Sequence, residues 1–461
     1  MNKPHKTVPL IIPVESQWRE FDAKLLLACI AATRGYPALI GPNREIESRI
    51  ASFPKGIYFA YRMKSGNAKF FRILGKLGHE VVAWDEEALV HLPAEMYYSR
   101  RLSPDAFQMV SHLFAWGKDN VDLWRQYRHL PSDMPIYVTG HPRADLLRPE
   151  LSAFYRQEAE ALQEKYGKFI LINTNFKHVN AFYPFQNLFL PVSNAGGTPK
   201  FGRSAVGMTF EYAKGFEELK KALFEDFQQL IPALNQAFPD NTIIVRPHPV
   251  EDQQVYQRIA ARSKQVHVTN EGNVVLWLLA AKALIHNGCT TGVEAYLMGV
   301  PAISYRSTVN DYYDNGFYRL PNRLSYQCFN FEELRNTLTK ILAGELGRPN
   351  GLKTQALIDD YLVAREGPLA SERIVDVIDK IIEDHSKLSR PGTRDRIQGW
   401  FMTIRRRMRK RDKRTELRRH RYPGISAQEL HKRISRFQQI LGIGTDLKVK
   451  QIFNQIFRIS A

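Results

Sequence analysis

Cysteine is scarce in this chain: 461 residues hold only Cys29, Cys289 and Cys328. Three thiols scattered through hydrophobic segments exclude a disulfide framework and fit a reducing compartment. Long apolar runs are missing as well. The longest, at 25–32 and 274–281, have eight residues each, against the roughly twenty that a membrane-spanning helix needs. The opening MNKPHKTVPLIIPVE has a short apolar stretch broken by prolines and followed at once by acid, which is not the pattern of a cleaved signal peptide. These absences set the expectation of a cytoplasmic protein. No histidine pair has metal-ligand spacing, the cysteines stand alone, and no Asp-x-Asp segment closes a strand, so neither metal nor cofactor is expected.

Positive charge, by contrast, is abundant but uneven. Of the net +18, residues 390–421 carry +11 and residues 422–461 carry +4, leaving +3 for the other 389 residues. A nearly neutral body therefore bears a basic tail, and the overall charge says nothing about nucleic acid. Hydrophobic residues at 44% and charged residues at 24% are those of a globular protein, and the length calls for two domains with extras.

Short apolar runs alternate with longer amphipathic ones over the first 389 residues, the pattern of strands and crossover helices in an α/β fold. VPLIIPV (8–14), ALIG (38–41), GIYFAY (56–61), EVVAW (80–84), LFAW (113–116) and IYVTG (136–140) read as the strands of a first parallel sheet, with a helix over 22–33 behind the first. The prolines of HPRADLLRPEL break the rhythm and place a boundary close to Pro149. KFILINTN (168–175), TIIVRPHP (242–249), VHVTN (266–270), ALIHNG (283–288) and PAISY (301–305) form a second set, with an irregular insertion at 176–203 and a long helix over 210–238. The expected organisation is a Rossmann-like domain over 1–149, a second over 150–345, closing helices over 346–389 and a basic tail over 390–461. Two doubly wound domains bind ligands at the carboxyl ends of their strands.

Two segments carry chemistry. IIVRPHPVED (243–252) ends a buried strand in Arg246, Pro247, His248 and Pro249. Arginine offers a planar fork to phosphate oxygens, and histidine can donate to a phosphate or protonate a leaving group; an ordinary strand exit with a surface histidine is the plain alternative. ALIHNGCTTGVEAYLMGVPAISY (283–305) reads strand, small-residue turn, helix, strand. Gly288, Thr290, Thr291 and Gly292 fall where the helix begins, a place for an anion. Glu294, one turn further on, is in reach of a ribose hydroxyl or serves as a helix-capping carboxylate.

RPHP followed by a small-hydroxyl helix start and E-A-x-x-x-G-x-P resembles the donor domain of GT-B glycosyltransferases of the His-Pro type: bacterial polysialyltransferases, capsule Kdo transferases and CDP-glycerol glycerophosphotransferases. Segments 12–41, 81–90, 139–151 and 170–176 together resemble the bacterial surface carbohydrate biosynthesis proteins, and the likeness runs over roughly 9–307. It implies a GT-B fold of two Rossmann-like domains facing a cleft. It also implies a nucleotide-sugar donor, CMP-linked, whose phosphate meets His248 with Arg246 and Thr290 with Thr291, and a glycan or lipid-linked acceptor. Transfer of a polyol phosphate from a CDP-linked donor, or a non-catalytic scaffold, are the alternatives.

Within that resemblance WDEEAL (84–89) stands where those transferases carry an acid-acid-Gly motif whose first carboxylate is the base, which points to Glu86, or to Asp85 if the register slips by one, although Ala88 replaces the glycine. Glu15, directly after the first strand, is the competing base. Arg19 and Arg143 are candidates to grip an anionic substrate, and Asn175, with Asn173, to bind phosphate. His141-Pro142 reads as a domain-edge turn. In the tail, IQGWFMTIRRRMRKR places Ile397, Trp400, Phe401, Ile404 and Met408 on one helical face among arginines, so residues 397–421 suit an anionic membrane surface. No nucleic-acid-binding module accompanies the run, and nucleic acid is not an expected partner.

Overall fold

A computed structural model describes residues 8–191, 199–314, 316–384, 391–408 and 422–461. Parts of three expectations lie outside the described residues: insertion residues 192–198, the last closing-helix residues at 385–389, and tail residues 390 and 409–421. Fourteen strands are described. β1 (Leu10–Val14), β2 (Ala38–Pro42), β3 (Ile57–Ala60), β4 (Glu80–Ala83), β5 (His112–Ala115) and β6 (Ile136–Val138) come first. β7 (Ile170–Asn173), β8 (Ile243–Arg246), β9 (Val266–Val268), β10 (Ala283–His286), β11 (Ala302–Tyr305) and β12 (Tyr326–Cys328) follow, and β13 (Lys448–Phe453) and β14 (Ile456–Ser460) close the chain. Each expected strand is present within one to three residues of its expected ends. The helix expected over 22–33 starts earlier, at Gln17, because the chain buries Glu20 and Lys24 as a mutual ion pair at 2.7 Å.

The chain divides into two compact units. The first, 1–89 with 101–154 and 359–461, is built on an eight-stranded sheet of order β13-β14-β2-β1-β3-β4-β5-β6. β1 to β6 run parallel, while β14 joins β2 antiparallel through pairs such as Phe457 with Ile40. The sequence-based division placed residues 422–461 in a tail. Instead, residues 427–441 form a helix and β13 and β14 extend this sheet, because Ile456, Phe457 and Ile459 are fully buried against it. Residues 359–384 also belong here. Asp145 is the reason: it accepts from Ala370 N at 2.7 Å, Ser371 N at 2.9 Å and Ser371 Oγ at 2.7 Å, holding the start of helix Ala370–Asp384.

Helix Thr393–Met408 docks on the first unit by its small residues. Gly399 lies where a Cβ would meet Leu77 at 3.0 Å, Thr403 is buried, and Arg406 pairs with Glu47. Its large apolar residues turn outward, with Ile397, Trp400, Phe401 and Met408 all about half exposed or more.

The second unit, 90–100 with 155–358, has an all-parallel six-stranded sheet of order β12-β11-β10-β7-β8-β9. The chain winds outward from β7 through β8 and β9, then crosses back to β10, so the order reverses between β7 and β10. Isoleucine, leucine and valine fill these strands because both faces are covered by helices; Phe227, Leu230, Ile231 and Leu234 of helix Phe210–Ala237 pack on one of them. In sheets of this topology ligands bind at the carboxyl edge of the reversal point.

Candidate functional site

At the reversal point of the second unit, β7 ends in Asn173, Thr174 and Asn175, and β10 ends in His286, Asn287 and Gly288. Asn173 and His286 are register partners, so the two polar turns leave the sheet side by side. His286 is fully buried and organises its turn. Nδ1 accepts from Gly288 N at 3.0 Å and Cys289 N at 3.4 Å, and Nε2 meets Ser325 Oγ at 2.8 Å. Burial, with Arg306 adding to it, pushes its pKa down to about 3, so the ring is neutral. Gly288 has φ +83°, and a Cβ there would lie 2.5 Å from the Tyr318 ring. Helix Thr290–Leu297 then begins after Cys289 without a side-chain cap; Gly292 N donates to Cys289 O at 3.0 Å and Thr291 N turns toward the Cys289 sulfur, so the helix start is partly open to another acceptor.

Around these turns, buried polar atoms lack hydrogen-bond partners among the described residues: Asn173 Oδ1, Asn175 Oδ1, and Asn287 Nδ2 and Oδ1, while Thr291 Oγ1 has only the weakly accepting Cys289 sulfur. Each such atom costs about 1–3 kcal/mol if left unmatched. Native proteins hold few of them, yet here they gather at one sheet edge. Of the expected phosphate-site residues, Asn175, Thr290, Thr291 and Glu294 are therefore brought together there, Thr291 and Glu294 buried in the first turns of the helix.

His248 leaves β8 in the neighbouring turn. Its Nδ1 accepts from Val250 N at 3.3 Å, so in the neutral ring Nε2 carries the hydrogen. Glu251, which the sequence reading passed over, fixes that turn: its buried carboxylate accepts from His248 N, Phe176 N, Thr174 Oγ1 and Tyr256 Oη at 2.7–3.2 Å. One carboxylate thus ties the β7 and β8 turns together, and its burial raises its pKa.

Arg246 departs from its expected role. Its guanidinium donates to Glu271 O at 2.6 Å, Gly272 O at 3.0 Å and Asn270 O at 3.4 Å, and lies 5.2 Å from the Trp277 ring centre. Burial lowers its pKa to about 9. With its donor fork taken by three carbonyls, Arg246 holds the loop after β9 instead of clamping a phosphate.

In the first unit, the expected acceptor-side residues cluster at the carboxyl edge of β1, β3, β4 and β6. Glu86 is 3% exposed. Its Oε2 accepts from Trp84 Nε1 at 3.0 Å and lies 3.3 Å from Lys24 Nζ, and its Oε1 has no partner among the described residues. His141 lies flat on Trp116, centres 4.0 Å apart, with Nε2 3.7 Å from Glu86 Oε2. Its Nδ1 accepts from Arg143 N at 3.2 Å, and burial drives its pKa well below the usual histidine value. His141 is thus more than a domain-edge turn, because it walls in Glu86.

Glu15 is more open and lies 3.5 Å from Arg62, closing the reversal between β1 and β3. Arg19 pairs with Glu87, and Arg143 donates to Glu86 O at 3.3 Å. Both expected anion grips are thereby drawn into holding the 85–87 segment. Asp85 is bound to Arg101 and receives Glu87 N at 3.1 Å, so the slipped register that made Asp85 the leading acid gives it a structural duty. Lys24, the buried cation of this cluster, was hidden in the apolar run 25–32 that follows it.

No family model and no curated protein matches the chain. Solved structures are similar to it in fold. The UDP-GlcNAc 2-epimerase of Methanocaldococcus jannaschii, in complex with UDP-GlcNAc and UDP, is 13% identical with a TM-score of 0.50, over 81% of this chain and 100% of its own. The wall teichoic acid polymerase TagF is 11% identical with a TM-score of 0.49, over 83% and 91%. The UDP-GlcNAc 2-epimerase of Neisseria meningitidis is 12% identical with a TM-score of 0.45, over 81% and 99%. At such identities what is shared is architecture: the chain has a GT-B-like α/β fold with two Rossmann-like domains.

Proposed function

We propose that the chain is a metal-independent glycosyltransferase of bacterial surface-glycan assembly. It moves a sugar from a CMP-linked donor to a glycan or lipid-linked acceptor. The observation that carries the reading is the gathering of unmatched buried polar atoms at the reversal point of the second sheet, beside an uncapped helix start. Asn287, Thr291, the Thr290 N–H at the start of helix Thr290–Leu297 and the Nε2–H of His248 would hold the phosphate and stabilise charge as CMP leaves. Asn173 and Asn175 would line the same turn, and Glu294 would meet the ribose. On the acceptor side Glu86 is the base. The acceptor oxygen bonds to the anomeric carbon, the bond from that carbon to the phosphate oxygen breaks, and the hydroxyl proton passes to Glu86 Oε1.

The outward apolar ridge of helix Thr393–Met408, with exposed Arg394, Arg396, Arg405 and Arg407 around it, supports work at the inner face of the cytoplasmic membrane on a lipid-linked acceptor. Among the described residues no helix is long and apolar enough to cross a membrane.

The test is release of CMP from a CMP-linked sugar in the presence of acceptor-bearing membrane vesicles. Wild type should release CMP and glycosylate the vesicles, while Glu86→Gln binds CMP normally and transfers nothing. Nucleotide binding with no transfer to any glycan or lipid would sink the transferase reading. Transfer of phosphate along with the polyol or sugar would turn it into a phosphotransferase.

A further inference from the structure

Among the described residues Lys220 is a buried cation without an ion-pair partner. It sits on helix Phe210–Ala237, 1% exposed. Among the described residues its ammonium makes neither an ion pair nor a hydrogen bond, and it rests on two rings: Tyr318, 3.9 Å from Nζ to the centre, and Phe216, 5.4 Å away. Asp314, the acid whose charge reaches it, is already paired with Arg306 at 2.6 Å. Taking an ammonium out of water without a partner is unfavourable by several kcal/mol. Burial lowers its pKa to about 8, with Asp314 opposing and Arg306 and Lys177 reinforcing the shift.

His178 makes the feature a site. It is buried, its Nδ1 lacks a partner among the described residues, and its ring centre is 5.2 Å from that of Phe216, the ring that also flanks Lys220. The positive groups Lys177, Lys220, Arg100 and His248 all act on it. The location follows from Tyr318, whose ring edge lies 2.5 Å from where a Cβ on Gly288 would stand. The aromatic bed of Lys220 is therefore also the wall of the turn after β10. His178 in turn lies three residues beyond Asn175, at the end of β7.

We propose that Lys220, with His178 beside it, forms an anion subsite adjoining the 287–291 turn, which receives a phosphate or carboxylate group. That the anion belongs to a nucleotide sugar rests on the function proposed above; the subsite itself rests on the uncompensated charge. A phosphate would make Lys220 part of the leaving-group pocket. A carboxylate on the sugar would make it the residue that selects acidic over neutral donors.

Calorimetric titration with inorganic pyrophosphate, CMP and CMP-N-acetylneuraminate separates these sources. The variants are Lys220→Met and, as a control, Lys221→Met, an exposed lysine paired with Glu217 at 3.0 Å. Lys220→Met should melt no lower than wild type, because it removes a desolvated charge, and should weaken its ligand by about tenfold or more. Weakening of all three ligands assigns the phosphate; weakening of CMP-N-acetylneuraminate alone assigns the carboxylate. Near pH 8.5, an anion beside a lysine of lowered pKa should draw a proton from the buffer as it binds. That uptake is read on wild type, so it stands even where the variant misfolds.

Equal affinities of wild type and Lys220→Met for every probe, or failure of folded wild type to bind any of them, would overturn the subsite. Pyrophosphate bound without any nucleotide would keep the subsite and remove the nucleotide-sugar reading.

Discussion

Asn287→Leu separates a ligand site from a structural turn. Asn287 is 1% exposed, one residue beyond β10, and both its amide nitrogen and its oxygen lack partners among the described residues. If those atoms await a ligand, the free protein carries their desolvation cost, about 1–3 kcal/mol for an unmatched polar group. Leucine of similar shape removes that cost without removing a hydrogen bond, so the free variant gains up to about that amount. For a domain of this size the gain corresponds to roughly 2–12 °C in melting temperature. Wild type should in turn be stabilised by CMP, by about 2.7 kcal/mol at a hundredfold excess over Kd, and the variant should lose that response. Scanning calorimetry on both proteins, with and without CMP, reads all four values. A variant that melts lower than wild type and still responds fully to CMP would refute the reasoning, since Asn287 would then be a structural residue.

Three further outcomes follow from the same geometry. His286 stays neutral in the fold down to about pH 3, whereas an unfolded histidine charges near 6.5. Its contribution is present above pH 6.5 and drains away as pH falls toward 3, about 2 kcal/mol of it between pH 7 and 5; urea unfolding at those two pH values should show a smaller loss in His286→Gln. Gly292→Ala would put a Cβ 2.5 Å from His286 Nε2; with His286 fully buried, it should cost about 1–3 kcal/mol and weaken CMP, checked by denaturation and titration. Trp400→Ala with Phe401→Ala should reduce sedimentation with phosphatidylglycerol vesicles by about tenfold or more while nucleotide affinity is unchanged, since each buried aromatic contributes about 1.5–3 kcal/mol; equal sedimentation would separate this helix from the membrane.

The strands were legible because burial on both faces of most of them leaves short apolar runs, each closed by proline, glycine or a polar turn. Their turns mark the candidate site for the same reason: Asn173, Asn175 and His248 interrupt apolar runs at or just after strand ends, and Thr291 lies in the first turn of the helix that follows β10. What a given side chain touches was less legible. Arg246 follows an apolar strand just as a phosphate clamp would, yet its partners are carbonyls some twenty-five residues later, brought in by the β9 turn. Glu251 and His286 looked like loop and strand residues because their work is to bind backbone N–H groups of turns that only folding assembles. Lys220 is one lysine among many on an amphipathic helix, and nothing in the periodicity sets it apart from exposed Lys221. The β13–β14 hairpin was hidden by the charged run before it. Its alternation of buried Phe457 and Ile459 with exposed Arg458 was the available signal.

The proposed transfer requires the β7–β10 reversal of the second unit to hold a nucleotide through its unmatched polar atoms. Calorimetric titration of the purified protein with CMP, CDP, UDP and GDP tests it most directly, with His248→Ala and Thr291→Ala alongside. One cytidine nucleotide should bind per chain, selectively, and more weakly in both variants. A folded protein that binds none of the four, or binds them unchanged in both variants, would contradict it.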